Sequence, residues 1–266
     1  SIRSRLSHRK LQVEKGEVAG ITLSILPDNK TRIHLDIDLL VADVQSLQIL
    51  LRDLAQAYTG GMLPDESKNW SFQAYMKEQA KALSEEKEAD KLYWRKRLES
   101  LPSGPLLPLK KRPEEITETK FSRRIIKLSN EEWDGLKRKA AAYQSTPAML
   151  LLTAYATVLE RWSTNKKFLI NIPLFNRNTE YAGLESVIAD FTTLLLLEAD
   201  CEHATSFLKL LKRIQAQVHQ DMKHASYSGV QVQRNLSQQR GGQQIVAPVV
   251  FACNLGTTLI NETFET

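Results

Sequence analysis

The sequence predicts a mixed α/β fold of the α+β sandwich type, and three observations predict it. Apolar and polar residues alternate in short runs, which marks strands. Apolar residues recur at gaps of three and four in longer runs, which marks helices. Strand-sized and helix-sized segments then follow one another along the chain. At 266 residues, 42% hydrophobic and 25% charged, the chain can fill one large domain or two modest ones and is not of disordered composition.

The elements can be justified in order. Residues 21–26 alternate, Pro27-Asp28-Asn29-Lys30 supplies a turn, and 31–39 alternate again, so a hairpin is expected. Val44, Leu47, Leu51, Leu54 and Tyr58 then form one helical face, ended by Gly60-Gly61. Polar helices are expected over 70–82 and 85–99, the second capped by Ser84 with Glu85 and Glu86 in its first turn. Residues 101–115 carry four prolines, which excludes both a helix and a central strand. A lobe boundary is therefore placed there, with 106–120 as the connection.

Beyond it a strand at 121–128 and an amphipathic helix at 130–143 are expected. Thr146-Pro147 gives an N-cap and a first-turn proline to a helix over 147–162. Strands near 168–175, 188–198 and 246–253 accompany a long helix at 205–224. There is no internal repeat.

Composition also excludes function classes. Cys201 and Cys253 are the only cysteines, without His or Cys at metal-ligand spacing, so neither a disulfide framework nor a zinc site is expected. A reducing cytoplasm suits them. No apolar run reaches membrane-spanning length, and no signal peptide opens the chain. It starts at Ser1 without Met, so flanking sequence is expected. The net charge of +5 is spread over basic clusters such as Arg95/Lys96/Arg97 and Lys137/Arg138/Lys139. No aromatic residues interleave with them, so they read as solvated surface, or as a docking patch for an acidic protein partner, and not as a nucleic-acid platform.

Three places could carry chemistry. Along 31–39, Ile33, Leu35, Ile37 and Leu39 share one face, and His34, Asp36 and Asp38 the other. Asp43 precedes the next helix, where its carboxylate can accept backbone N–H bonds. Either this is a solvated strand face with an N-cap, or Asp38 lines a tunnel and Asp43 locks the turn. Asp190-Phe-Thr-Thr193 heads an apolar block, and a hydroxyl at Thr192 or Thr193 in a strand buried on both faces needs a partner. Finally, Phe207, Leu211, Ile214, Val218 and Met222 form a helix stripe, and Asp221 falls inside it. A carboxylate on a core-facing stripe is either structurally hydrogen-bonded or works in a cavity with a raised pKa. His224 and Ser228 follow, yet Asp221 and His224 are i, i+3 on one helix and no Gly-x-Ser-x-Gly elbow occurs, so a hydrolase triad is not read here.

Taken in order, these segments resemble the motif series of heterocyclization domains of nonribosomal peptide synthetases, members of the condensation-domain superfamily. Asp38 to Asp43 has the spacing of their Asp-x-x-x-x-Asp motif, which replaces the His-His-x-x-x-Asp-Gly of ordinary condensation domains. Leu101-Pro-Ser-Gly-Pro-Leu-Leu-Pro-Leu109 resembles their Leu-Pro-x-x-Pro-x-Leu-Pro-Leu stretch. Thr146-Pro147, Val158-Leu159, Trp162 and Pro173-Leu-Phe-Asn176-Arg177 resemble the next motif. Asp190 to Asp200, His224 to Val232 and Pro248 to Gly256 resemble the Asp-Phe-Thr, Ser-Gly-Val and Pro-Val-Val-Phe motifs. The early Gln-x-Ala-Tyr and late Pro-Gln-Val-x-Leu-Asp segments are not found, and Ala189 and Asn254 depart from the usual residues. The chain is then either cut from a longer domain or a degenerate copy.

The resemblance implies two chloramphenicol-acetyltransferase-like lobes in a V. Residues 1–105 would be the C-terminal part of a partial first lobe, and 121–266 a truncated second lobe. It implies amide formation between a carrier-bound acyl group and Cys, Ser or Thr, followed by cyclodehydration to a thiazoline or oxazoline. Asp221 and Thr192 match the catalytic pair, with Asp38, Asp43, Asp190, Ser228 and Asn176 as tunnel or structural residues. No intrinsic cofactor or metal is implied. Phosphopantetheine arrives on carrier-domain partners, and an adenylation domain is the expected neighbour, with neither nucleic acid nor membrane as partner. An ordinary amide-forming condensation domain and a non-catalytic docking domain stay open as alternatives.

Overall fold

The computed structural model describes residues 2–27, 29–63, 70–82, 84–117, 121–175, 177, 181–242 and 247–255. They fall into two compact units, one made of the described residues within 2–80 and 175–192, the other of those within 81–174 and 193–255.

The first unit opens with a short helix α1 (Ile2–Leu6) and an antiparallel hairpin of β1 (Ala19–Ile25) and β2 (Thr31–Ile37). Its register sets Ile21 opposite Leu35 and Leu23 opposite Ile33, so the aliphatic residues share one face. That face looks outward: Ile21 is 69% and Ile25 89% exposed. The half-buried face is the polar one, where the Ser24 hydroxyl and His34 Nε2 lie 3.0 Å apart. Asp28 of the expected turn lies outside the described residues. Helices α2 (Val44–Tyr58) and α3 (Phe72–Ala82) follow. The stripe expected on α2 is displaced: Tyr58 is 83% exposed, and Ser46, Ile49 and Ala55 are the buried residues. The unit's core is small and aromatic, with Tyr75 and Phe191 buried and edge-on contacts joining Trp70 to Tyr181 and Phe72 to Phe191 at centroid distances of 5.0 and 5.2 Å.

The second unit carries the larger core. It holds helices α4 (Ser84–Leu98), α5 (Asn130–Ala142) and α6 (Pro147–Trp162), then strands β3 (Lys167–Phe175) and β4 (Thr192–Asp200) with their outermost residues at the unit boundary, and helices α7 (Phe207–Met222) and α8 (Gly229–Gln239). β3 and β4 pair, and Phe168, Leu169, Ile170 and Leu195 to Leu197 are fully enclosed, as continuous apolar runs require. Trp94, Leu152, Ile214 and Leu236 pack into one core with them from the helices. Thr146 caps α6 by accepting the Met149 N–H, and Ser129 with Glu132 forms a capping box on α5. The Ser84 cap lies outside the described side chains.

Several expectations are corrected. The described residues of the expected connection, 106–117, fall within the span of the second unit. Prolines cannot donate to a ladder, but the Pro-rich stretch still packs: Leu101 is buried, and Ser103 O accepts the Leu169 N–H at 2.9 Å. Residues 121–128 form no strand; they have no ladder partner among the described residues, and Phe121 and Ile126 are 86% and 90% exposed. Of 246–253, residue 246 lies outside the described residues, and the remainder makes one parallel bridge, Asn171 with Val250. The expected helix at 205–224 is followed by an unanticipated α8. Gly229 lets α8 approach β4, since a Cβ there would stand 2.6 Å from the Leu194 carbonyl oxygen. Among the described residues no helix is long and apolar enough to cross a membrane.

Candidate active site

α7 presents Leu210, Leu211, Ile214, Val218 and Asp221 to the core. Phe207 and Met222, expected on this stripe, are 39% and 51% exposed, so Asp221 itself ends the buried row. Its side chain is fully enclosed. Oδ1 accepts the Tyr93 hydroxyl at 2.7 Å, the Gln217 amide at 2.9 Å and a guanidinium N–H of Arg97. The other oxygen, Oδ2, is equally buried and has no hydrogen-bond partner among the described residues. A carboxylate has room for about four hydrogen bonds, and a buried acceptor left unmet costs about 1–3 kcal/mol.

The electrostatics follow from this lopsided arrangement. Burial pushes the Asp221 carboxyl above the ordinary aspartate range, and Arg97 with the bonds from Tyr93 and Gln217 pulls it only part of the way back. The Tyr93 phenol is pushed up to about 12 by burial and by the carboxylate it faces, so it stays a donor. Burial opposes the Arg97 charge, but Asp221 and Glu198 outweigh that and hold its pKa above the usual value. Arg97 was expected on a solvated basic patch. Its side chain is only 16% exposed, and its second nitrogen pairs with Glu198 at 2.9 Å. Tyr93 stacks on His224 with centroids 3.9 Å apart, and Asp90 accepts from His224 Nδ1 at 2.9 Å and from the Ser226 hydroxyl at 2.5 Å. His224 therefore pairs with Asp90 and not with Asp221.

A second buried aspartate stands in the first unit. Asp43 is the N-cap of α2, accepting the Ser46 N–H at 2.7 Å and its hydroxyl at 2.8 Å on Oδ1. Arg177 adds a bond to the same oxygen at 2.9 Å, and the Phe191 N–H approaches Oδ2 at 3.4 Å. Arg177 also donates to the carbonyls of Leu184 and Val187 and lies over the Phe191 ring at 4.3 Å. Burial raises the Asp43 carboxyl, but Arg177 and the Ser46 bonds overcome it, and the net pKa lies below the usual value.

The other expected residues are placed as follows. Asp38 is half-buried and accepts the Leu40 N–H at 2.9 Å, closing the turn after β2. Asp190 accepts the Thr192 N–H at 2.9 Å. Thr192 opens β4 half-buried, ahead of the enclosed residues and not within them. It belongs to the first unit and Asp221 to the second. Ser228 is the N-cap of α8, with its N–H donated to Gln231 at 3.0 Å. Asn176 lies outside the described residues. Sequence reasoning missed Tyr93, Arg97 and Glu198 around Asp221, and gave Arg177 no role beyond its motif. The available signal was Tyr93 and Arg97 at i, i+4 on a helix that also carries Trp94. No group of three or more His, Cys, Asp or Glu side chains able to hold a metal occurs among the described residues. Burial and nearby carboxylates push the Cys201 thiol up to about 11, so it is no ready nucleophile.

The mixed fold agrees with the comparisons to known proteins. The condensation-domain family model matches residues 2–266, and the chain belongs to that family. Within it, the likeness falls on the heterocyclization branch. The chain is 38% identical over 256 residues to pyochelin synthetase PchE of Pseudomonas aeruginosa, covering 96% of this chain and 18% of the relative. It is 36% identical over 258 residues to phenyloxazoline synthase MbtB of Mycobacterium tuberculosis, again 96% of this chain and 18% of the relative. The EpoB cyclization-docking bidomain from Sorangium cellulosum superposes with a TM-score of 0.86 at 29% identity, covering 99% of this chain and 54% of that one. The chain thus spans about a fifth of the curated relatives' length.

Proposed function

We propose that this chain forms the amide between a carrier-bound acyl group and a carrier-bound Cys, Ser or Thr, and then cyclodehydrates it to a thiazoline or oxazoline. The observation that carries the reading is Asp221: enclosed, raised in pKa, and with one oxygen bare of partners. The likeness to a phenyloxazoline synthase and to a cyclization bidomain supports the ring-forming step.

In that step the side-chain sulfur or oxygen of the new residue bonds to the amide carbon. Oδ2 of Asp221 takes the proton it sheds, while the carbonyl π bond opens and its oxygen takes a proton from water and becomes a hydroxyl. The hydroxyl then leaves as water with the proton held on Oδ2, and the amide nitrogen returns its own proton to water as the C=N bond forms. One C–X and one C=N bond form, the C–O bond breaks, and one water departs. A carboxyl with pKa moved toward neutrality can serve as base and then acid. Thr192 is assigned with it to catalysis, and Asp38, Asp43, Asp190, Ser228 and Asn176 are assigned as structural residues of the motif series.

The substrates arrive on phosphopantetheine arms of carrier domains, and an adenylation domain activates the amino acid. The reading places the chain in the cytoplasm, where the free thiols of Cys201 and Cys253 are at home. The test is a complete module carrying Asp221→Asn or Thr192→Ala. Azoline should fall about 100-fold or more while linear amide accumulates, the loss expected for a general acid–base group. Unchanged azoline in both variants would remove the reading. Linear amide alone from the unmodified module would leave an ordinary condensation domain.

A further inference from the structure

The bonds around Asp221 are distributed in a way its burial alone does not require. Three donors converge on Oδ1: Tyr93 and Arg97 from α4, and Gln217 from α7 itself. None reaches Oδ2, which is shut off from bulk water. Arg97 does not float in the site. Its other nitrogen is tied to Glu198 of β4 at 2.9 Å, and its guanidinium carbon lies 5.1 Å from the Trp94 ring centroid. Tyr93 is fixed in turn, accepting from Arg97 at 3.0 Å and stacking on His224, which Asp90 holds. A planar guanidinium gripped at one end by Glu198 offers its other end in a set direction. That direction meets one oxygen of Asp221 and orients the second away.

We propose that Arg97, anchored by Glu198 and seconded by Tyr93, is a positioning residue that locks Oδ1 of Asp221 and so makes Oδ2 the single oxygen that exchanges the proton. The inference rests on Asp221 being the acid–base group. It goes beyond that reading by naming which oxygen reacts and which residues select it. The charged and titratable groups facing Asp221 are Arg97 and Tyr93 from α4, with Glu198 of β4 behind the arginine and the His224–Asp90 pair behind the tyrosine. Arg97 favours the ionised carboxyl, so its removal raises the Asp221 pKa, and the limb of the rate profile belonging to Asp221 moves to higher pH.

The experiment is the pH dependence of azoline formation in a complete module bearing Arg97→Gln, Arg97→Lys or Tyr93→Phe, with Asp221→Asn as reference. Arg97→Gln should lower kcat about tenfold or more with KM little changed, and shift the Asp221 limb upward by about one pH unit or more. Tyr93→Phe keeps the ring against His224 and removes only the hydroxyl, so it should shift the limb in the same direction by less. Arg97→Lys restores the charge without the fork, and should bring the limb back while kcat stays low. Arg97→Gln and Tyr93→Phe profiles that keep the wild-type limb, whatever their kcat, would overturn the inference. If Asp221→Asn itself forms azoline at the wild-type rate, the underlying functional reading fails instead, and the two failures are told apart.

Discussion

Among the described residues two aspartates are buried against arginines, one in each compact unit, and their surroundings differ as the proposed reading of one as a lock and the other as a tool requires. Asp43 bonds a helix N-terminus, a serine hydroxyl and Arg177, and a backbone N–H approaches its second oxygen. Its pKa lies below the ordinary value. Asp221 has the same arginine partnership, but all its bonds fall on one oxygen, and burial wins. Folding onto Asp43 stabilises the charged form. Burial at Asp221 opposes the charged form, which fits the acid–base role proposed for it.

The contrast can be broken most forcefully at Asp43. Asp43→Asn strands the Arg177 charge beside a weakened cap, and should cost about 3–5 kcal/mol of stability in denaturant unfolding. A loss under 1 kcal/mol would mean that Asp43 locks nothing. Asp221→Asn should do the opposite. Azoline formation drops about 100-fold, equivalent to about 2.7 kcal/mol of barrier, while stability shifts by about 1 kcal/mol or less because Arg97 keeps Glu198. Gly229→Ala drives a methyl into the Leu194 carbonyl and should destabilise by about 1–3 kcal/mol, read as a lower Tm. The smallest effect belongs to the exposed hairpin face. Leu23, 62% exposed, can become Lys within about 0.5 kcal/mol of the wild-type stability.

Acid sharpens the same comparison through the signs of the two shifts. The folded pKa of Asp43 is lowered, so its stabilisation is present above the unfolded aspartate value and is lost as pH falls through the folded one. The folded pKa of Asp221 is raised, so its contribution is best at low pH and is lost as pH rises from the ordinary value through the raised one. Replacing Asp43 should therefore flatten the acid side of the stability profile. Replacing Asp221 should lift stability just above the usual aspartate range.

Local features of both sites were legible in the sequence. Asp43 stands before a periodic run, and Asp221 falls at stripe spacing after Ile214 and Val218. Thr146-Pro147 announces α6 for the same reason: caps and periodicity are written within a few residues. What the sequence hides is the partner. Arg177 lies 134 residues from Asp43, and Arg97 lies 124 from Asp221 inside a basic run that resembles any solvated helix face. A guanidinium is recognised as buried only when the fold brings its carboxylates to it. Strands suffer likewise. Residues 121–128 have strand composition, yet pairing is non-local, and no ladder partner is present among the described residues. Helix α8 escaped notice because Gly229 reads as a turn residue, whereas here it serves a close approach to β4.

The most direct test is a carbon NMR titration of the aspartate carboxyls in the folded protein, assigned with the Asp43→Asn and Asp221→Asn variants. Asp221 should titrate above the ordinary aspartate range and Asp43 below it. An Asp221 that titrates at or below Asp43 would contradict the account, because the carboxyl with the bare oxygen would then hold its charge as firmly as the lock does.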